Sequence, residues 1–257
     1  GRYGFGPRSL SLTLGQAAPS LKLAYEGKES APNSAQRADD VDVPPASKTA
    51  QDPEAFAVVV GVEKYRDLPA VDYAARDAQA MRAYLTESMG FLPSNVVLLQ
   101  NERATLTDLA TYLGPWLEDR VGAKSRVFVY FSGHGAPDPK TGESYLVPYD
   151  GNPQYAQTKA FPVRRLYETL AGLPSKNVIV ALDSCFSGVG KRSVIAKGMR
   201  PLVSVKSQAA GENTVVLTAS GGDQVSSSYP EGQHGLLTYF LLKGLQGKAD
   251  TDTDGRI

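Results

Sequence analysis

The sequence predicts an α/β protein, with a mostly parallel central sheet of about five to six strands and helices on both faces. Three observations carry this. Several segments are unbroken apolar runs rather than alternations, as in Phe56-Ala57-Val58-Val59-Val60-Gly61-Val62, which implies burial on both faces. Stretches of helical spacing separate those runs, as crossover connections between parallel strands require. The composition, 42% hydrophobic and 21% charged, is that of a globular chain able to bury a sizeable core.

The elements follow in order. Ser9 to Leu14 and Ser20 to Tyr25 alternate polar and apolar residues around a turn at Gly15 to Pro19, so residues 1–27 read as a β-hairpin. A lone hairpin is marginal in water, so it is expected to dock elsewhere, as a prosegment or a remnant of another domain. Residues 28–54 are rich in Pro, Ala, Ser and Asp and read as a flexible linker. One domain is expected over residues 55–257.

Its first strand is Phe56 to Val62. Asp72 to Met89 places Ala74, Ala78, Met81 and Leu85 on one helical face. Asn95 to Gln100 is a strand, and Thr105 to Arg120 a single helix capped by Thr105 or Thr107. Strands follow at Arg126 to Phe131 and Tyr145 to Pro148, then a helix at Val163 to Leu173. Asn177 to Asp183 and Thr214 to Thr218 are strands, and Leu236 to Leu245 the last helix, with no clear further strand after it.

Lys+Arg and Asp+Glu are both 27, so no global basic field draws the chain to nucleic acid or to a membrane surface. No apolar run approaches the roughly 20 residues of a membrane span. The expected setting is soluble. A lone thiol suits the cytoplasm, and an oxidising compartment nearly as well. Cys185 is the only cysteine, which excludes an intrachain disulfide and a multi-thiolate metal site. His134 and His234 are the only histidines.

In parallel sheets, working residues lie beyond the carboxyl ends of the strands. After Phe131 comes Ser132-Gly133-His134-Gly135, and after Asp183 comes Ser184-Cys185-Phe186-Ser187-Gly188. One imidazole and the only thiol therefore sit at matching strand ends, in turns whose glycines let backbone and ligand approach. Alone, such a cysteine is commonly a small buried hydrophobe. Together, the pair suits nucleophilic catalysis, because the imidazole can turn the thiol into a thiolate. The backbone N–H groups of Gly135 and Cys185 are candidate donors to an oxyanion.

The segments Val127 to Gly135 and Val180 to Gly188 resemble the His and Cys motifs of the caspase-like cysteine peptidases, in the bacterial caspase-like and metacaspase branch. The His-to-Cys spacing of about 50 residues agrees, although Asp183-Ser184 stands where caspases proper carry Gln-Ala. The resemblance extends over Tyr65 to Ala78 and over His234-Gly235-Leu236-Leu237-Thr238-Tyr239, and leaves residues 1–54 uncovered. It implies a caspase-like three-layer sandwich. It also implies that Cys185 attacks the scissile carbonyl to form a thioester, that His134 is general base and then acid, and that the Gly135 and Cys185 amides hold the oxyanion. Asp77, Ser132 and Asp183 match the polar pocket with which metacaspases read Arg or Lys at P1. The expected partners are thus protein or peptide substrates with a basic P1; the resemblance favours a monomer, and no residue fixes the oligomeric state.

Val189 to Asn213 is long for an internal connection and carries Lys191, Arg192, Lys197, Arg200 and Lys206. In relatives this region is often a processing linker, so these are candidate self-cleavage sites; a solvated basic loop is the plainer alternative. No cofactor is required by the thiol chemistry. Metacaspases often need Ca2+, held by acids after the His motif. Asp138, Glu143 and Asp150 lie there, but Gly151-Asn152-Pro153 replaces the paired acids expected next, which argues against calcium activation. Asp250, Asp252 and Asp254, followed by Gly255, match the opening of an EF-hand loop whose position 12 lies beyond the sequence, and a polar turn after the last helix is the plainer reading. A non-catalytic caspase-like interaction module is the competing function, and the Cys185/His134 pair weighs against it.

Overall fold

The computed structural model describes residues 20–21, 41–46, 49–138, 140–184, 186, 211, 213–219 and 228–250. In chain order the strands are β1 (Ser20–Leu21), β2 (Ala55–Gly61), β3 (Val96–Gln100), β4 (Arg126–Ser132), β5 (Gly135–Pro137), β6 (Ser144–Leu146), β7 (Phe161–Pro162), β8 (Asn177–Asp183), β9 (Thr214–Thr218), β10 (Ser228–Tyr229) and β11 (His234–Gly235). The helices are α1 (Ala74–Ala83), α2 (Leu106–Tyr112), α3 (Pro115–Glu118), α4 (Ala156–Lys159), α5 (Val163–Gly172) and α6 (Leu236–Lys243). One parallel sheet has the order β1-β9-β8-β4-β2-β3. Its five longer strands form the predicted sheet, and β1 adds two residues at one edge. β5-β6-β7 form a small antiparallel sheet, and β10-β11 an antiparallel pair.

Alternate side chains of a strand point to opposite faces, so each central strand feeds two cores. Val58, Val129 and Val180 share one register row across β2, β4 and β8. With their neighbours on that face they pack on Leu109, Leu117, Leu166 and Leu170 of α2, α3 and α5. Val59, Phe128, Tyr130 and Ala181 face the other way, against Met81, Tyr84, Tyr239 and Leu242. Burying each large apolar side chain contributes about 1.5–3 kcal/mol. This two-sided burial is what the unbroken apolar runs encode.

Helix α1 buries the predicted Ala74, Ala78 and Met81 face and continues as a π-helical turn at Tyr84–Ser88. It lies close against β2. A Cβ added at Gly61 would stand 2.4 Å from the Ala74 carbonyl oxygen and 2.6 Å from the Ala78 Cβ. The single helix predicted from Thr105 to Arg120 is two. Thr105 caps α2 in a capping box with Asp108, but Pro115 has no N–H to continue the ladder, and the chain turns at Gly114 before α3.

The N-terminal segments are described in part. Ser20 and Leu21 pair in parallel with Val216 and Leu217 of β9. The other strand of the predicted hairpin, residues 9–14, lies outside the described residues. Within the predicted linker, residues 41–46 pack on the domain. Val41 is buried, Tyr84 Oη donates to the Val41 carbonyl at 2.8 Å, and Ser88 Oγ donates to the Pro45 carbonyl at 2.6 Å. Further along, Arg126 Nε pairs with Asp52 at 2.9 Å. Side-chain donors from the end of α1 thus hold backbone carbonyls of a segment that has few apolar groups of its own.

Asp138 closes the turn after β5. Its Oδ1 accepts from the Lys140 and Thr141 N–H groups at 2.8 and 3.4 Å, and its Oδ2 accepts from Gln157 Nε2 at 2.9 Å. Burial pushes this carboxyl up, but the bonds from Gln157, Lys140 and Thr141 outweigh it and hold the group below its ordinary value.

Two outcomes are expected in urea unfolding. Gly61→Ala lowers stability by at least about 1–3 kcal/mol, because backbone rather than a flexible side chain must yield. Asp138→Asn costs about 1–3 kcal/mol at neutral pH. A depressed native carboxyl stabilises only while ionised, so the wild-type advantage is complete above the ordinary value of 3.8 and disappears as the pH falls through the lower native one.

Candidate active site

At the carboxyl edge of the sheet, Gly61, Ser132 and Asp183 stand side by side in register. The close seat of α1 over Gly61 brings Asp77 to this row. Ser132 Oγ donates to Asp77 Oδ2 at 2.9 Å. Asp77, Ser132 and Asp183 are all fully buried. The three residues assigned from the sequence to one polar pocket therefore share one end of the fold, and two of them are in direct contact.

What holds the two carboxylates is the entry into α6. The His234 ring donates from Nδ1 to Asp77 Oδ1 at 2.8 Å, and the Gly235 N–H approaches both Asp77 oxygens at 3.2 and 3.1 Å. Three residues on, the Thr238 N–H and hydroxyl both donate to Asp183 Oδ2, at 3.0 and 2.6 Å. Since that hydroxyl donates to Asp183, Tyr130 Oη must donate to it, at 2.5 Å. The positive end of a helix dipole faces both acids. His234 carried no assigned role in the sequence, yet it is fully buried against Asp77. The run His234-Gly235-Leu236-Leu237-Thr238 at a helix entry was the available signal.

His134 follows β4 and is 2% exposed. Its backbone N–H donates to Tyr65 Oη at 2.7 Å, and the two rings lie with centroids 4.8 Å apart. Its Nε2 lies 2.9 Å from the Pro69 carbonyl oxygen. A carbonyl only accepts, so Nε2 carries the proton and the lone pair of the neutral ring is on Nδ1. Gly133 leaves room here, since a Cβ would stand 2.8 Å from Tyr65 Oη and displace that ring. Tyr65 and Pro69 come from the β2–α1 connection. That loop is pinned by Asn101 Oδ1, which accepts from the Glu63 and Lys64 N–H groups at 3.0 and 2.9 Å. A backbone carbonyl that orients an imidazole has no side-chain signature, and sequence patterns miss it.

Gly135 begins β5, opposite Leu146. The adjacent pair is hydrogen-bonded, with the Val147 N–H donating to the His134 carbonyl at 3.0 Å. Antiparallel ladders alternate, so the Gly135 N–H is turned away from β6.

Cys185 lies outside the described residues, between the buried Ser184 and Phe186. So do the basic residues Lys191, Arg192, Lys197, Arg200 and Lys206, together with Asp252 and Asp254. Asp250 is described, at the C-terminal turn after α6. The acids after the His motif are committed to protein donors. Asp138 closes its turn, Glu143 pairs with Arg164 at 3.0 Å, and Asp150 accepts from the Leu106 N–H at 2.9 Å. Among the described residues, no three His, Cys, Asp or Glu side chains gather as a metal ion would require. No described helix is long and apolar enough to cross a membrane.

The caspase domain of peptidase family C14 matches residues 54–254. Among solved structures, protein GSU0716 from Geobacter sulfurreducens is similar, at 18% identity and a TM-score of 0.56, over 74% of this chain and 81% of that one. At that identity the likeness is one of fold. No curated protein matches. The sheet order, the helices on both faces and a family match spanning most of the sequence agree, and the chain belongs to the caspase-domain family of cysteine peptidases.

Proposed function

We propose that the protein is a cysteine endopeptidase that cleaves after Arg or Lys, with Cys185 as nucleophile and His134 as its base. The observation that carries this is the 2.9 Å contact between His134 Nε2 and the Pro69 carbonyl. It selects the tautomer in which Nδ1 can accept a proton, which is what a general base needs. The thiol proton passes to His134 Nδ1, and the thiolate attacks the scissile carbonyl carbon. The C–N bond then breaks as His134 returns the proton to the leaving amine. Water, deprotonated by the same ring, hydrolyses the thioester. The outward N–H of Gly135 is suited to hold the oxyanion with that of Cys185.

Specificity for a basic P1 is supported by Asp77 and Asp183 flanking Ser132 at one sheet edge. A guanidinium or ammonium gains charge-assisted bonds there of about 1.5–3 kcal/mol each. A P1 Asp would bring a third negative charge. The same specificity directs self-processing to the basic residues of the 189–213 segment.

Fluorogenic peptides that differ only at P1 test this. Arg and Lys are expected to exceed Asp by at least about 100-fold in kcat/KM. Cys185→Ala should lose more than about a thousandfold of the turnover. Intact-mass analysis should show cuts after one or more of Lys191, Arg192, Lys197, Arg200 and Lys206, absent in Cys185→Ala. A preference for P1 Asp would overturn the pocket assignment while sparing the nucleophile. Absence of Cys185-dependent turnover would favour an interaction module, and acyl transfer to an added amine would mark a ligase.

A further inference from the structure

The family match begins at residue 54, yet a side chain from before it reaches the histidine that holds the acid assigned to P1 recognition. The buried His234 ring stands between two carboxylates. Nδ1–H donates to Asp77 Oδ1 at 2.8 Å, and on the opposite side Nε2 faces Asp42 Oδ1 at 3.2 Å, off the line of a hydrogen bond. Arg76, the neighbour of Asp77 on α1, closes the set. Its Nε donates to Asp42 Oδ2 at 3.0 Å, its Nη2 touches the same oxygen, and its Nη1 donates to Gln233 Oε1 beside His234. Asp42 itself is anchored through its chain neighbours, since Tyr84 Oη donates to the carbonyls of Val41 and Val43 at 2.8 and 3.4 Å.

We propose that Asp42 is a positioning residue of the P1 pocket, acting through His234 to fix the orientation of the Asp77 carboxylate. This rests on the P1 Arg/Lys assignment above. The ring is fully buried and hydrogen-bonded at Nδ1, and the Asp42 carboxylate, itself held by Arg76, stands 3.2 Å from Nε2 and closes the side towards which the ring could turn about that bond. The ring and the Gly235 N–H then fix the plane of Asp77. Orientation matters unequally for the two basic side chains. Arginine offers a rigid fork that must match a carboxylate in plane, while lysine offers a compact charge that tolerates rotation. Asp42 therefore bears on the choice between Arg and Lys as well as on affinity.

The test compares Asp42→Ala and Asp42→Glu with wild type on P1 Arg and P1 Lys peptides. Asp42→Ala is expected to lower kcat/KM for P1 Arg by about 10- to 100-fold, mainly through KM, with a smaller loss for P1 Lys. Asp42→Glu should restore most of the Arg preference. Equal losses for both peptides, as general loosening would produce, overturn the proposal, and so does a variant indistinguishable from wild type. Wild type that turns over neither peptide refutes the P1 assignment and the pocket role of Asp42 with it. A second readout is independent of turnover. The chain has two histidines, so 15N spectra of the imidazoles, assigned with His134→Ala, isolate His234. Asp42→Ala is expected to shift the His234 ring signals, and unchanged signals overturn the relay whatever the peptide kinetics show.

Discussion

The arrangement of this end of the molecule depends on the first turn of α6 meeting two buried carboxylates. Asp77 arrives on a helix and Asp183 at the end of a strand, and neither has bulk water to solvate it. A buried carboxylate is costly without donors. Here one short run of chain serves both, with His234 and Gly235 donating to Asp77 beside the Ser132 hydroxyl, and Thr238 donating to Asp183. Helix and acids are therefore mutually dependent. The helix start gains acceptors for its unpaired N–H groups, and the acids gain a fixed geometry.

His134 and the two acids therefore rest on different supports. His134 is governed from the β2–α1 loop, through Tyr65 and the Pro69 carbonyl, while the acids are governed from α6. β4 links them, carrying Ser132 on the acid side and His134 two residues later. The sheet register keeps the two sets at a constant offset, because a slip of one residue in β4 would reverse every side chain along it.

Much of the fold was legible because burial on both faces leaves a plain trace. The runs Ala55–Gly61, Arg126–Ser132 and Asn177–Asp183 became adjacent parallel strands. Pro115 was visible as a break, but the apolar spacing of Leu109, Leu113 and Leu117 runs through it and outweighs it in a periodicity count. Asp77 and Asp183 are ordinary charges by pattern, and only the motif resemblance singled them out. His234 stood in a run that matched the family without a role of its own, and nothing in the sequence singled out Asp42. Their contact joins residues about three quarters of the chain apart, and the Pro- and Ala-rich stretch around Asp42 has the composition of a tether even though its carbonyls are docked.

Ser20 and Leu21 lie along Val216 and Leu217, on the outer side of the sheet's last long strand. Bare strand margins expose a ladder of amide groups onto which any extended polypeptide can zipper, another molecule of the same kind included. Here part of that margin is already taken by the protein's own early residues. Fibre-like growth or pairing of copies through those two positions would first have to peel Ser20 and Leu21 away.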